Sequence, residues 1–357
     1  MSTSLFLPLL VLVSGASAQD GSALPRPKPT GLVQAWVTAY DMDQDTQADP
    51  ASYGDPEDDP GLKLRRARLG LSGESTVLQY AVLVGVSSPF DALGSGQHEV
   101  GLVDAFIGWA PVEDLWLSAG VAKPPVSREQ LMSSSELTLA ERAVSSEWMV
   151  PERDAGIWAD WRSRGTTRVR LRGGAYNGNA DIFGDDNTGK LFAARAELAH
   201  GPAGTYSTWG DEKGFTFGAG ADFFHDTDVA TQTLGAGGDL ILRVAGLHLL
   251  VEGRFAKLDP RGSDIDMPGV LAPVSRIGGL AQLGYGFGPV EPAVRFSLFD
   301  DDTQAKDNGD VAELNAGLTG HLLDDKVRVG GGYVLRLEMA GATVPNDTVR
   351  LWSSLAF

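Results

Sequence analysis

The amino-acid sequence predicts an all-β fold, a transmembrane antiparallel β-barrel of about sixteen strands. Three observations carry the prediction. Apolar and charged residues alternate with period two from residue 31 to the end, tight turns alternate with long polar connections, and beyond the first residues no apolar run approaches the ~20 residues a spanning helix needs. Every backbone polar group in lipid must find its partner inside the protein, so a closed barrel is the one way left for this chain to cross a membrane.

Residues 1–18 read as a secretory signal, because Leu5 to Val13 form a short apolar run and Ala16-Ser17-Ala18 a small-residue cleavage pattern. Residues 19–30, QDGSALPRPKPT, form a Pro-rich leader, and 31–357 make the barrel. The absence of cysteine excludes disulfides and thiolate metal sites, and 45 glycines in 357 residues favour turns and closely packed strands over helices.

Alternating stretches lie near 31–41, 61–72, 76–87, 99–110, 113–122, 153–163, 167–177, 190–199, 214–225, 231–244, 246–257, 274–287, 288–299, 311–322, 325–339 and 346–357. Within 325–339, Val327, Val329, Tyr333, Leu335, Leu337 and Met339 share one face, while Lys326, Arg328, Arg336 and Glu338 share the other. At 246–257, Leu247, Leu249, Val251 and Phe255 oppose His248, Glu252 and Arg254. Tight links at 73–75, 111–113, 245–246, 288–289 and 323–325 alternate with long polar stretches at 41–60, 123–152, 178–189, 258–273 and 300–310. Residues 200–213, HGPAGTYSTWGDEK, are the exception, long where a short turn is due. The last strand ends VRLWSSLAF, with Val349, Leu351, Leu355 and the terminal Phe357 on one face. A soluble β-sandwich also alternates, but it gives no reason for that terminal aromatic or for the loop asymmetry.

The formal net charge is -18, yet 167–174 reads TRVRLRGG, with Arg168, Arg170 and Arg172 on one face. Sorting strand charges by parity puts fifteen bases against nine acids on the face opposite the apolar one, an excess of six, and leaves the acidity to the loops. At ~2–4 kcal/mol for each arginine facing lipid near the midplane, an outward row would cost on the order of 6–12 kcal/mol, so the three point inward. Their forks recur every ~6–7 Å along the strand. Such a row can pass a dehydrating anion from one bidentate guanidinium to the next. Alternatively it pairs with acids across the lumen and stiffens the wall.

The stretch 123–147, KPPVSREQLMSSSELTLAERAVSSE, breaks the strand pattern at its two prolines, and SREQLMSSSELTLAERA can form a helical turn or two. It is long enough to fold inward and narrow a pore, whereas an ordinary outer loop would expose Leu131, Met132, Leu137 and Leu139 to water. In the first loop, Asp41, Asp43, Asp45 and Asp49 are spaced like the start of a calcium loop, but Thr46 replaces the required glycine and Ser52 the bidentate glutamate. They read as solvated loop acids. The five histidines lack metal-ligand spacing, and neither a G-x-S-x-G elbow nor a P-loop occurs, so no catalytic residue and no cofactor is assigned. The charge balance disfavours nucleic acid as a partner.

Five features together resemble the phosphate-selective porins, called porins O and P, over roughly residues 31–357. They are LRRARLGLSG (64–73), VDAFIGWAP (103–111), AGVAKPPVSREQLMSSSELTLAERA (119–143), the arginine row and Phe357. The resemblance implies a trimeric bacterial outer-membrane barrel, seated in lipid, whose third loop folds into the pore, and a passive channel for small anions such as phosphate. It also implies site residues: a basic pair at Arg65 and Arg66, then Lys123 and Ser127, the row Arg168, Arg170 and Arg172, and Asp104 facing them. Parity adds Arg68 and Arg195 as inward bases. It turns Arg66 inward as well, and Arg65 only if the strand bulges there. Eight acids in 41–60 and Asp300, Asp301 and Asp302 in a later loop would repel anions at the mouth, an effect screened beyond ~8 Å in physiological salt. A general diffusion pore with weak cation preference is the alternative within this class. From another class comes a plugged structural or adhesive barrel.

Overall fold

The computed structural model describes residues 25–40, 61–87, 99–178, 184, 188–201, 205–209, 214–261, 272–341, 343 and 346–357. The signal at 1–18, the first half of the leader and the acidic stretch 41–60 lie outside these residues. Sixteen strands form one closed barrel in which each pairs antiparallel with its neighbour in sequence and the last with the first. In order they are β1 (Lys28–Tyr40), β2 (Gly61–Glu74), β3 (Leu78–Ser87), β4 (Glu99–Val112), β5 (Leu115–Ala122), β6 (Asp154–Arg162), β7 (Thr167–Tyr176) and β8 (Leu191–His200). The second half comprises β9 (Phe215–Thr227), β10 (Thr231–Val244), β11 (Leu247–Pro260), β12 (Val274–Tyr285), β13 (Val290–Asp300), β14 (Asp310–Leu322), β15 (Val327–Glu338) and β16 (Thr348–Ala356). β1 begins at Lys28, inside the predicted leader.

Alternation becomes sidedness because successive side chains of a strand point to opposite faces. On β16, Val349, Leu351 and Leu355 point outward at 47%, 57% and 44% exposure, while Arg350 and Ser354 are buried in the lumen. Val169 and Leu171 of β7 are outward too. The terminal residue helps to close the barrel: Gly31 N–H donates to the Phe357 carbonyl at 2.8 Å, and Phe357 N–H returns a bond to Gly31 at 3.1 Å. A Cβ at position 31 would meet the Phe357 ring, so glycine lets that ring lie against the strand.

Two bulges re-aim side chains. Gln34 pairs with Arg66 and Ala35 with Leu64, which leaves Arg65 as the extra residue of β2. The bulge turns Arg65 inward beside Arg66, at 7% and 4% exposure, and brings Lys63 over the lumenal Trp36 ring at 5.5 Å. On β4, Leu83 pairs with Asp104 and Val84 with Leu102, so Val103 is the extra residue. Lys326, assigned to an inward face by parity, instead lies exposed in the turn before β15.

The long connection 201–214 between β8 and β9 stays anomalous on the turn side, and across the barrel β9 and β10 are joined by only 228–230. The segment 123–153 carries two short helices, α1 (Arg128–Leu131) and α2 (Val144–Trp148). Met132, Leu137 and Leu139 are buried and Leu131 is partly covered.

Candidate functional site

The segment 123–153 is held by apolar packing and by charge. Met132, Leu137 and Ala143 cluster with the inward Ile241, Leu250 and Leu280 of β10, β11 and β12. Val144 and Met149 cluster with Ala256, Leu258, Phe299 and Val311, and Val126 and Val150 with Tyr176, Leu191, Ala193 and Phe224. The wall leaves room for this: a side chain on Gly317 would lie 2.9 Å from Leu139, and one on Gly278 would lie 2.9 Å from Ser145.

Charged anchors span the barrel. Arg128, wholly buried, reaches Asp239 Oδ1 at 2.5 Å through Nε and the Thr205 carbonyl at 2.8 Å through Nη1. Arg295 of β13 donates to Glu129 Oε1 at 2.9 Å and to the Glu141 and Arg142 carbonyls at 2.8 and 2.9 Å. Gln34 Nε2 of β1 meets the Ser134 carbonyl at 3.5 Å, and Thr319 Oγ1 of β14 donates to the Thr138 carbonyl at 2.6 Å.

The predicted basic pair converges on one acid. Arg65 Nε donates to Glu141 Oε1 at 2.8 Å and Arg66 Nη2 to Glu141 Oε2 at 2.9 Å. Burial pushes the Glu141 carboxyl upward, but Arg65 and Arg66 outweigh it and hold the group well below the usual carboxylate range. Arg68 and Lys123 lie within electrostatic reach of each other and of Arg142, Arg153 and Asp104. Arg153 pairs with Asp104 at 3.0 Å. Arg142 donates to the Glu129 and Met132 carbonyls at 3.2 and 2.8 Å and stands 3.9 Å from Glu147. Lys123 Nζ donates to the carbonyls of Gln130 and Met132. Among the described residues Arg68 has neither a hydrogen bond nor an ion pair. Several cations thus stand near Asp104, and among the described residues the Arg68 guanidinium is unpaired, an arrangement suited to a small anion.

Each guanidinium of the arginine row has an acceptor within the chain. Arg170 gives a two-pronged pair to Asp160, at 2.8 Å from Nε and 2.6 Å from Nη2, and Arg162 shares the same carboxylate. Arg168 donates to the Gly201 carbonyl at 3.1 Å and Arg172 to the Tyr206 hydroxyl at 2.7 Å. Arg195 and Ser127 are both buried. Arg195, 2% exposed, pairs with Glu197, Asp222 and Asp239, while the Ser127 hydroxyl caps α1 by accepting from Gln130 N–H at 3.1 Å. Two lumenal histidines share one acid as wall residues: His248 lies 2.9 Å and His321 3.0 Å from Glu291. Among the described residues no cluster of His, Asp and Glu could hold a metal ion.

Sequence reasoning missed Arg142, Arg153, Glu141 and Tyr206. All four lie in irregular segments, where strand parity says nothing; the only cue was that 123–147, which holds Glu141 and Arg142, and 200–213, which holds Tyr206, both break the pattern.

Burial, with the Arg142 and Arg153 guanidiniums close by, pulls the Lys123 ammonium well below the ordinary lysine range. Its charge is present at low pH and is lost as pH rises through the lowered value. Any anion preference to which Lys123 contributes is therefore expected to decline with rising pH at values below the ordinary lysine range. Lys123→Arg, whose guanidinium stays charged, flattens the decline. Reversal potentials in a KCl gradient read both effects, and a pH-independent preference in the unmodified protein would contradict them.

A closed barrel of sixteen strands, apolar outside and charged within, defines an outer-membrane channel. The family described as phosphate-selective porin O and P matches residues 39–222, and the chain belongs to that family. Three solved structures share the fold. The anion-selective porin from Comamonas acidovorans is 12% identical, with a TM-score of 0.57 over 93% of this chain and 99% of that one. The outer-membrane channel DcaP of Acinetobacter baumannii is 11% identical, with a TM-score of 0.58 over 96% and 100%. The trimer form of OmpT from Vibrio cholerae is 11% identical, with a TM-score of 0.57 over 93% and 99%. No curated protein matches the sequence.

Proposed function

We propose that the chain, exported by its signal 1–18, is a passive homotrimeric porin of the bacterial outer membrane that favours small anions such as phosphate. In this reading 123–153 lies inside the lumen and forms the constriction. Its bonds to inward residues of β1, β10, β13 and β14, on opposite sides of the barrel, support that placement. The observation that carries anion preference is the unpartnered Arg68 guanidinium in the company of Lys123, Arg142 and Arg153. An anion there supplies the acceptor that the described residues do not, at little reorganisation cost.

The row at Arg168, Arg170 and Arg172 has a different part in this reading. Each guanidinium already has an acceptor within the chain, which favours bracing of the wall over relay of a free ion. The trimer form of the OmpT neighbour is in keeping with a trimer here.

Chloride current through single channels, titrated with inorganic phosphate, tests the proposal. A basic site of this kind predicts half-inhibition at about millimolar phosphate or below, which corresponds to ~4 kcal/mol of binding free energy. A chloride current indifferent to phosphate at equal concentration would favour the general diffusion pore.

A further inference from the structure

The described residues of the anomalous turn-side connection, 205–209, make their contacts with inward side chains and with 123–153. The Thr205 carbonyl accepts from Arg128 at 2.8 Å, Thr208 Oγ1 lies 2.5 Å from Thr138 Oγ1, and the Trp209 ring stacks on His321 at 3.5 Å between centroids. Tyr206 lies on the arginine row. Its ring stands 5.3, 5.6 and 5.9 Å from the guanidinium carbons of Arg128, Arg172 and Arg170. Its hydroxyl accepts from Arg172 Nη2 at 2.7 Å and donates to Glu197 Oε1.

A phenol answers only part of this environment. Its ring face attracts cations, and its hydroxyl joins one donor to one acceptor, but it brings no negative charge to three guanidiniums. Arg172 Nε is buried without a hydrogen-bond partner, and Arg170 uses Nε and Nη2 on Asp160 while its Nη1 makes no bond among the described residues. We propose that this is a binding site for hydroxylated aromatic acids, occupied in this structure by the chain's own Tyr206. The inference deepens the porin reading and rests on it, since the ligand reaches the site through the lumen.

The chemistry of the ligand follows from the partners. A ring fills the space between the guanidiniums. A hydroxyl is needed to donate to Glu197, because a second carboxylate placed there would meet the first without a proton between them. On the other side of a para-substituted ring, a carboxylate falls ~6–7 Å from the hydroxyl, the same step that separates Arg172 from Arg170 along the strand. The carboxylate then meets the unused Nη1 of Arg170 and supplies the charge that Tyr206 lacks. An aromatic acid without the hydroxyl leaves Glu197 unanswered and binds more weakly.

The test uses the full chain, with 4-hydroxybenzoate and benzoate as probes of chloride current in planar bilayers. Removing the internal occupant with Tyr206→Ala is expected to lower the half-blocking concentration of 4-hydroxybenzoate about tenfold, and benzoate is expected to act about tenfold more weakly than 4-hydroxybenzoate. Should that variant fail to fold, Tyr206→Phe keeps the ring, gives up both hydroxyl bonds, and is expected to shift the block about threefold in the same direction. Equal block by the two acids, or a 4-hydroxybenzoate block unmoved by either substitution, overturns the site and leaves the porin reading standing. Calorimetric titration of the detergent-solubilised barrel with 4-hydroxybenzoate reads binding without conduction. A barrel that conducts nothing therefore contradicts the porin reading, while the titration still decides the site.

Discussion

Replacing Arg68 with glutamate is expected to reverse the selectivity of the channel from anions to cations. The position has no partner among the described residues, so no bond is broken within the wall and the change is one of field alone. At ~8 Å and an effective dielectric of ~20, one unit of charge shifts a passing monovalent ion by about 2 kcal/mol, and the substitution changes two units. That exceeds the ~1.4 kcal/mol that gives a tenfold preference. Arg68→Gln is expected to weaken anion preference without inverting it, and Arg68→Lys to preserve it. The zero-current potential in a KCl gradient separates the three. An Arg68→Glu channel with unchanged selectivity would place the ion path elsewhere.

The second large effect is expected at Arg128. Its guanidinium is wholly buried between Asp239 and the Thr205 carbonyl, with Glu197 3.6 Å away, and its backbone N–H donates to Glu252 at 3.1 Å. Arg128→Met leaves buried acids short of a partner, a loss of about 3–5 kcal/mol for breaking such a pair, moderated here because Arg195 still reaches both Asp239 and Glu197. The cost falls on 123–153 and 205–209 rather than on the barrel, whose strands remain paired all the way round. Single-channel conductance is therefore expected to rise and to fluctuate between levels, with the heat resistance of the folded barrel nearly unchanged. Adding Asp239→Leu removes the stranded charge and is expected to recover part of the loss. A steady, unaltered conductance in Arg128→Met would show that Arg128 does not hold the segment.

The barrel was legible because its signals are local. Period-two alternation and loop length are properties of a few residues each, and they placed all sixteen strands near their observed bounds. What packs against the inward face was harder to read. Ile241, Leu250 and Leu280 are apolar residues at inward positions, and alone each looks like noise in the alternation; in the fold they form the seat of Met132 and Leu137. Arg65 depended on a bulge, and nothing in LRRARL says which residue is extra. Strand parity correctly turned Arg195 and the arginine row inward. It could not report that Asp222, Asp160 and Tyr206 would take up their hydrogen bonds, because those pairings cross from one strand to another or to an irregular segment. The length of 200–213, without explanation in the alternation, marked the segment that reaches the row.

The central claim is that the basic cluster around Arg68, and not the acidic charge of the loops, sets which ions pass. The zero-current potential of the unmodified protein across a planar bilayer, in a tenfold KCl gradient near neutral pH, tests it most directly. A potential with the sign of chloride permeation is expected; a potential with the sign of potassium permeation would contradict the claim.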